Sequence, residues 1–456
     1  MKLTSKTMSR RDMLKMLGFG AAGAALSGCV VPTVPPATDD IVEKAKTVAV
    51  QKPVHIKFWN WLDDPNNPTF PTLIKRFEES HPLIRIDWEP GAYAAQHDKL
   101  VAAMAAGVGP DAYELSSEWI GELEGMGAIA PLDEFYNDWP GRHDIYPRVI
   151  NQYHYKPGFP GGVGPLYALP FILVAHYLYY RTDWAEEVGF TGSHPSGGPG
   201  TMDEFLQLAQ MVTDPSKPRY GFAMRGGRGG TGMWFEAAGS MGMKMWDWIK
   251  PGEEWKFTLD TEKSIDANTW YTELYTKQGV CPPSAPTDSF AEIVGNMKSG
   301  LTSMTFHHLQ TVNMIGDVIG IDNLGVVPVP QGPNPDEWTA FGGASADAVN
   351  AQSKEQEAAF EWIAFIASPD FQDYWCKNTG GVPVNPSLAN DPFYQENRFV
   401  QATLEGAPAW DVFPTTRGMG EFDATQWPTA MAECLTGKIT PEQMMRDLNA
   451  FLESSK

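Results

Sequence analysis

The chain has 456 residues, 43% of them hydrophobic and 20% charged, and a formal net charge of −22 at pH 7. The composition is typical of a globular protein with room for two domains, and it excludes a disordered or fibrous chain. The acidic excess argues against a nucleic-acid-binding protein, which needs a basic surface.

The first 28 residues have the pattern of an export signal. Five basic residues precede an apolar stretch, 16–26, that is too short to span a bilayer. The segment 9–15 resembles a twin-arginine signal, with Met13 in place of the usual Phe. We therefore expect residues 1–28 to direct export of the chain.

Residues 26–29, Leu-Ser-Gly-Cys, resemble the lipobox of bacterial lipoproteins, in which the chain is cleaved before Cys29 and lipid is attached to this residue. The chain from there to residue 53 contains several prolines and no helical apolar period, which is typical of an extended tether. The sequence thus predicts a lipidated Cys29 and a flexible tether over 29–53. The folded part would then be held at the outer face of the cytoplasmic membrane or in the periplasm.

Three further cysteines, Cys281, Cys376 and Cys434, are widely spaced. None belongs to a Cys-x-x-Cys motif or to a Cys/His pattern with zinc-ligand spacing, so we expect no metal site. An oxidising compartment would permit one disulfide, but the spacing does not identify the pair.

Strand and helix patterns alternate at the start of the folded part. The strands are predicted over 54–59, 84–88 and 111–115. Apolar residues at helical spacing predict helices over 71–81 and 97–106 between them. This alternation indicates an α/β fold with a parallel, doubly wound sheet.

The remainder of the chain repeats the alternation. Strands are predicted over 177–180, 220–224 and 301–306, and amphipathic helices over 203–212 and 262–277. A second α/β layer is therefore expected.

Polar and aromatic side chains follow two of the predicted strands. Trp61 and Asp63 come after the first strand, and Glu118 and Trp119 come after the third. Ligands bind beyond the carboxyl ends of parallel strands. A sugar presents hydroxyls in its ring plane and C–H faces above it, which carboxylates and flat aromatic rings complement. These four residues are candidate sugar contacts, with core packing or stabilisation of a helix N-terminus as the alternative.

Eight short segments occur in an order that is specific although each segment alone is weak. They are 58–61, 77–82, 107–111, 127–133, 167–170, 178–183, 342–344 and 367–372. In this order they resemble family 1 of the extracellular solute-binding proteins of ABC transporters, the group that includes maltose-binding protein. Arg181 departs from the family's usual Asn, and His307-His308 departs from its usual small residues followed by Trp.

The resemblance implies a two-lobed periplasmic-binding-protein fold of type II, in which each lobe is a doubly wound sheet. It implies about three crossings between the lobes. The crossings would lie at Ala168, Leu169 and Pro170, which would act as a hinge, near 305–308 and near 342–345.

The same resemblance implies a division of the chain between the lobes. The first lobe would hold 54–168 and 309–341, and the second lobe would hold 169–308 and 342–456.

The crossings supply further candidate ligand contacts. His307 and His308 follow a buried strand, where a histidine with a structural role is the alternative. Gly342 and Gly343 would let backbone amides approach the ligand closely.

Two aromatic residues and one basic residue complete the predicted site. Trp410 lies in a loop where members of the family often place a stacking aromatic ring, and Trp234 follows a glycine-rich loop. Arg417 would either donate hydrogen bonds to the ligand or pair with a surface acid.

The glycine-rich loop, 226–232, also matches the spacing of a dinucleotide-binding fingerprint at Gly227, Gly229 and Gly232. It lies deep in the chain, however, and no acidic residue ends a following strand. We therefore interpret it as a flexible loop or lid.

Together these features predict the solute-binding subunit of an ABC importer, which captures a mono- or oligosaccharide and presents it to the permease. We expect a monomer with no cofactor and no enzymatic activity. A polyol or a glycerol phosphodiester is the alternative ligand. An exported glycoside hydrolase is a further alternative, because Asp63 and Glu118 could form its carboxylate pair, although no catalytic motif accompanies them.

Overall fold

The computed structural model describes residues 52–61, 67–308 and 311–456. The predicted export signal, the lipidated Cys29, the tether and the candidate ligand contact Asp63 lie outside the described residues.

Two main β-sheets organise the described chain. The larger sheet has six strands in the order β13-β4-β12-β3-β1-β2, and the smaller sheet has four in the order β10-β5-β9-β6. Strands β7 and β8 form a separate hairpin, and β11 pairs with β14. The strands are β1 (Val54–Trp61), β2 (Ile84–Gly91), β3 (Ala112–Leu115), β4 (Ala168–Leu173), β5 (His176–Arg181), β6 (Tyr220–Phe222), β7 (Trp246–Lys250), β8 (Glu254–Phe257), β9 (Thr302–His308), β10 (Leu324–Val327), β11 (Ala340–Phe341), β12 (Ala344–Val349), β13 (Val382–Pro383) and β14 (Trp410–Asp411).

Helices cover both sheets. They are α1 (Thr69–Ser80), α2 (Tyr93–Ala105), α3 (Ile120–Gly125), α4 (Asp133–Asp138), α5 (Pro147–Ile150), α6 (Thr182–Glu187), α7 (Met202–Val212), α8 (Thr231–Ser240), α9 (Glu262–Thr276), α10 (Phe290–Ser299), α11 (Thr311–Ile319), α12 (Gln356–Ile366), α13 (Pro369–Thr379), α14 (Pro392–Glu396), α15 (Arg398–Glu405), α16 (Met419–Glu421), α17 (Trp427–Leu435) and α18 (Pro441–Ser454). In the part of the chain that the structure describes, no helix is both long enough and apolar enough to cross a bilayer.

The first lobe is the part of the chain that packs on the six-stranded sheet. Its strands β1, β2 and β3 are parallel, which confirms the predicted alternation of strands and helices. Helix α1 shows how the sequence fixes this lobe, because Phe70, Leu73 and Phe77 recur at helical spacing and are all buried. The ring of Phe77 packs 5.0 Å from that of Trp362 on α12, and the ring of Phe70 packs 5.9 Å from that of Phe58 on β1. Each such buried side chain contributes roughly 1.5–3 kcal/mol, so the cluster fixes both helices to the sheet.

The second lobe is the part of the chain that packs on the four-stranded sheet. On β5, alternate residues Tyr177 and Tyr179 are buried on the same face, and their hydroxyl oxygens lie 2.9 Å apart. The hydroxyl of Tyr179 donates to the carbonyl oxygen of His308 at 2.9 Å. These bonds hold the end of β9 in place.

The chain leaves the first sheet later than the sequence predicts. Ala168, Leu169 and Pro170 are buried inside β4, where they pair with β12, and the chain passes to the second sheet at residues 174–175. These residues are held in the sheet because each is paired with a neighbouring strand and none is exposed. The predicted crossing near 305–308 falls within β9, which remains in the second sheet.

The strand pairing also places three strands differently from the predicted division. Strand β10, Leu324–Val327, is hydrogen-bonded to β5 and so belongs to the second sheet. Strand β12, Ala344–Val349, lies between β3 and β4 in the first sheet, and β13, Val382–Pro383, pairs with β4 in the same sheet. The chain therefore returns to the first sheet between β10 and β12, where the predicted crossing near 342–345 lies.

The C-terminal segment contacts both lobes. Helix α16 packs beside α3 of the first lobe, whereas α17 and α18 pack beside α9 of the second lobe. A π-helical turn, Phe422–Gln426, connects α16 to α17. Such π-helical turns are rare in proteins, and those that occur are often found at functional sites.

The three described cysteines, Cys281, Cys376 and Cys434, are each buried and unpaired. Burial raises the pKa of all three thiols, that of Cys434 to about 11. No disulfide therefore joins any two of them.

Candidate ligand-binding site

A cavity of about 250 Å³ lies between the two lobes. Aromatic, hydroxyl-bearing and titratable side chains from both lobes surround it. The lining residues are Trp61, Ala92, Tyr93, Ser116, Ser117, Glu118, Val174, His176, Arg225, Gly229, Thr231, Gly232, Ser289, Phe290, Ala291, His307, His308, Phe341, Gly343, Ala344, Ser345, Phe413 and Asp423.

Glu118 is the titratable residue that the first sheet presents to the cavity. The buried strand β3 ends at Leu115, and a single 3₁₀ turn, Ser117–Trp119, then carries Glu118 inward so that it is only 4% exposed. Burial, and secondarily the negative charge of Asp423, raise the pKa of Glu118 to about 8. Glu118 therefore holds a proton at neutral pH and can donate a hydrogen bond as well as accept one.

Asp423 is held by residues of both lobes. It lies on the π-helical turn, where its carboxylate accepts a hydrogen bond from the hydroxyl of Thr231 at the start of α8. The hydroxyl of Tyr93, at the start of α2, lies 3.4 Å from the other carboxylate oxygen. One carboxylate thus contacts a helix from each lobe at the edge of the cavity.

Arg225 brings a positive charge to the second-lobe side. It follows β6 and is 7% exposed, and its Nε donates to the carbonyl oxygen of Arg228 at 2.9 Å. The glycine-rich loop wraps around this side chain. A Cβ atom on Gly229 would come 2.2 Å from Nη2 of Arg225, and the φ of Gly229 is +76°, so only glycine fits there. The loop therefore encloses an arginine side chain and leads into α8.

Three histidines cluster beside Arg225. The ring of His307 lies 5.4 Å from that of His176 and 4.2 Å from that of His308. Nδ1 of His176 lies 3.1 Å from Oε1 of the buried Glu236, and Nδ1 of His307 lies 2.6 Å from the hydroxyl of Thr311.

Two of these histidines are neutral at physiological pH. Burial lowers the pKa of His307 well below its usual value and that of His308 to about 3. Nδ1 of His308 is buried without a hydrogen-bond partner among the described residues. Within the described ranges, no group of three or more His, Cys, Asp or Glu side chains is placed to hold a metal ion. The cluster thus supplies neutral imidazole nitrogens to the cavity.

Aromatic rings supply the apolar faces. The ring of Phe341 lies 5.4 Å from that of Phe413, and the ring of Trp61 meets that of Tyr93 edge to face at 5.3 Å. Rings of this kind complement the C–H faces of a sugar or the carbon chain of a polyol.

Five of the sequence-predicted contacts meet around this cavity. They are Trp61, Glu118, His307, His308 and Gly343. Trp119 is 2% exposed and packs behind Trp61 with a ring separation of 5.6 Å, so it supports the cavity without lining it.

Four other predicted contacts lie elsewhere. Trp234 is fully buried and its indole Nε1 donates to Asn268 at 2.9 Å, so it belongs to the core of the second lobe. Gly342 packs against Trp410, since a Cβ atom there would come 2.1 Å from that of Trp410. Trp410 is 8% exposed and does not line the cavity. The side chain of Arg417 is more than half exposed and lies 3.7 Å from Glu124, which is the surface pairing left open by the sequence.

Sequence reasoning missed Tyr93, His176, Arg225, Thr231 and Asp423. Each comes from a different element, so no local motif unites them. A weak signal exists for Arg225, because it stands directly before the glycine-rich loop.

Comparison with known proteins places this architecture in context. Residues 63–373 match the bacterial extracellular solute-binding proteins. A binding protein of Brucella abortus (strain 2308) is 24% identical over 390 residues, which cover 84% of this chain and 88% of that protein. The erythritol/L-threitol-binding protein of Mycolicibacterium smegmatis is 23% identical over 420 residues, which cover 84% and 81% of the two chains.

A solved structure shows the same fold. The solute-binding protein of an ABC transporter from Thermotoga lettingae, bound with α-D-tagatose, superposes with a TM-score of 0.76 at 22% identity. The superposition covers 87% of this chain and 99% of that one. Its agreement with the family match over residues 63–373 confirms the α/β, two-lobed fold that the sequence implied, and the chain belongs to the bacterial extracellular solute-binding proteins.

Proposed function

We propose that this protein is the solute-capturing subunit of an ABC importer and that it binds a small neutral polyhydroxylated solute, either a monosaccharide or a linear polyol. The observation that supports this proposal most directly is the cavity between the lobes, in which carboxyl, guanidinium, imidazole and hydroxyl groups surround aromatic faces. A relative named for erythritol/L-threitol, and a similar structure holding tagatose, support this choice of solute class.

The size of the cavity favours a short solute. Its volume of about 250 Å³ lies just below the range of about 300–1,000 Å³ that is typical of drug-sized sites. A five- or six-carbon solute carries enough hydroxyls to reach both lobes without leaving the cavity.

The charges around the cavity favour a neutral solute over a glycerol phosphodiester. Arg225 is positive, but Asp423 and Glu118 lie on the same cavity. The negative charge of a phosphate would be repelled by a carboxylate that lines the same cavity. A phosphodiester could therefore bind only with Glu118 kept in its protonated form.

Binding is tested by isothermal titration calorimetry with D-mannitol, ribitol, erythritol, D-tagatose, maltotriose and glycerol phosphodiesters. We expect micromolar or tighter binding of one of the first four probes, and no reaction product by chromatography. Tight binding of only a phosphodiester, or turnover of a saccharide, would overturn the proposal.

We further propose that binding draws the lobes together by rotation about the two segments that join the sheets, and that the closed form docks on the permease. Residues 174–175 and Gly343, which follow β4 and precede β12, would form the hinge. Small-angle X-ray scattering should show a smaller radius of gyration with the bound probe, and an unchanged radius would contradict the rotation.

Attachment to the membrane is proposed from the N-terminal sequence alone. We propose that residues 1–28 are removed, that Cys29 carries the lipid, and that the anchored protein acts as a monomer. Cys29→Ser should release the protein from the membrane fraction and abolish incorporation of labelled palmitate. Retention of label would contradict this assignment.

A further inference from the structure

An ion pair joins the two lobes beside the cavity. Arg228 donates from Nη1 to Oδ2 of Asp98 at 3.0 Å and from Nη2 to Oδ1 at 3.2 Å. Asp98 lies on α2 of the first lobe, whereas Arg228 lies on the loop between β6 and α8 of the second. Two parallel N–H···O bonds fix the groups more tightly than a single contact does. The pair therefore holds a second-lobe loop against a first-lobe helix.

The ion pair lies outside the cavity lining and is partly exposed to solvent. The same two elements line the cavity through Tyr93 and Gly229, but neither Asp98 nor Arg228 does. The Asp98 carboxylate is 68% exposed and the Arg228 side chain is 21% exposed. The pair therefore joins, outside the cavity, two elements that line it.

The loop that carries Arg228 is also hydrogen-bonded to a residue that lines the cavity. The carbonyl oxygen of Arg228 accepts the hydrogen bond from Nε of Arg225, which lines the cavity. On the helix, Asp98 lies 3.2 Å from Nδ1 of its neighbour His97. The hydrogen bond from Arg228 lowers the pKa of Asp98 below its usual value, so the carboxylate is charged at neutral pH. The loop thus connects a cavity residue to the interlobe contact.

We infer that the Arg228–Asp98 ion pair closes the cavity on this side and thereby restricts the solute to one that fits wholly between the lobes. This inference rests on the proposed function, because it takes the cavity as the solute site. An oligosaccharide that continued between Tyr93 and Gly229 would have to break both hydrogen bonds, whereas a monosaccharide or polyol would leave them intact.

The first test compares two carboxylates that are each held by a bidentate arginine. Glu187 accepts bonds from Arg219 at 3.0 and 2.9 Å within the second lobe, so Glu187→Gln is the matched control for Asp98→Asn. Calorimetry gives the affinities for D-mannitol and for maltotriose, and their ratio is the preference for the short solute. We expect Asp98→Asn to lower this preference by about 2- to 5-fold, the range of exposed ion pairs, and Glu187→Gln to leave it unchanged. An unchanged ratio in Asp98→Asn, or wild-type protein that binds maltotriose as tightly as D-mannitol, overturns the inference.

The second test measures closure of the lobes around the bound solute. Asp98→Arg places two positive groups opposite each other in the closed form, and the charge-exchanged variant Asp98→Arg with Arg228→Asp restores an attractive pair. With each protein saturated by the tightest-binding probe, small-angle X-ray scattering should show a larger radius in the single variant and the wild-type radius in the exchanged variant. If no probe binds the wild-type protein, the proposed function fails. If a probe binds and the radius is equal in all three saturated proteins, the inference is overturned.

Discussion

The two lobes present different chemistry to the cavity. The first lobe contributes oxygen groups, chiefly the carboxyl of Glu118 and the hydroxyls of Ser116 and Ser117. The second lobe contributes nitrogen groups, chiefly the guanidinium of Arg225 and the imidazole of His308 with its neighbours. A hydroxyl both donates and accepts, so it can satisfy the two sides at once. A cation would be disfavoured by Arg225 and an anion by Asp423, so the lining supports the proposed neutral polyhydroxylated solute.

The largest effect should come from removing the main oxygen group of the first lobe. Glu118→Ala deletes a buried carboxyl that faces the cavity, and truncating one partner of a buried polar contact costs several kcal/mol. We expect calorimetry to give about a 100-fold larger dissociation constant for the best probe. The exposed Glu134 offers the control variant Glu134→Ala, which should bind normally. If the dissociation constant of Glu118→Ala differs from that of the wild type by less than about 3-fold, this carboxyl does not contact the solute.

The second effect concerns the dependence of folding stability on pH. The ordinary pKa of 4.5 applies to Glu118 in the unfolded chain, whereas burial raises the folded value to about 8. Between these values the folded protein keeps a proton that the unfolded chain has lost. The stabilising contribution of Glu118 to the free energy of unfolding is therefore complete below pH 4.5 and is lost as the pH rises to about 8. The slope is at most about 1.4 kcal/mol per pH unit.

Chemical unfolding at several pH values measures this slope. Glu118→Gln cannot titrate, so we expect its stability relative to the wild type to increase from pH 5 to about 8. Parallel curves for the two proteins would show that the pKa of Glu118 is not raised.

A smaller effect should follow from removing one nitrogen group of the second lobe. His308→Phe keeps an aromatic ring but removes the unpartnered Nδ1 that is buried beside the cavity. A lost hydrogen bond to a solute hydroxyl corresponds to about 5- to 10-fold weaker binding. The exposed His143 supplies the control His143→Phe. Tighter binding in His308→Phe would mean that the solute presents an apolar group to this position.

The smallest effect on binding should come from Trp410, which belongs to neither side of the cavity. Trp410→Ala should change the dissociation constant by less than about 2-fold, while lowering the free energy of unfolding by about 3–5 kcal/mol. The loss of stability arises because Trp410 is buried and packs against Gly342. Calorimetry and chemical unfolding on the same variant separate the two quantities. A large loss of affinity in a stably folded variant would restore the stacking role that the sequence suggested.

Much of the fold could be predicted because local periodicity decides it. The strands at β1, β2 and β3 have short apolar patterns, and the helices between them have apolar residues at helical spacing. The resemblance placed the hinge too early, at residues 168–170. Pro170 is accommodated in β4, a paired and buried strand, and the crossing comes only after that strand ends.

The site could be predicted only where a residue directly follows a recognisable strand. Trp61 and Glu118 satisfy that condition, and both line the cavity. Trp234 and Trp410 were selected as aromatic residues in loops, but residue type does not report the direction of a side chain. Asp423 is brought to the cavity by the return of the C-terminal segment between the lobes, and no short-range pattern specifies such a long-range contact.

The buried thiols make the protein convenient to label. Because Cys281, Cys376 and Cys434 are inaccessible and have raised pKa values, maleimides at neutral pH should react slowly with them in the folded protein. In protein lacking Cys29, a single cysteine introduced on each lobe could therefore carry a fluorophore without removal of the native thiols. The distance between two such dyes would report opening and closing of the lobes one molecule at a time.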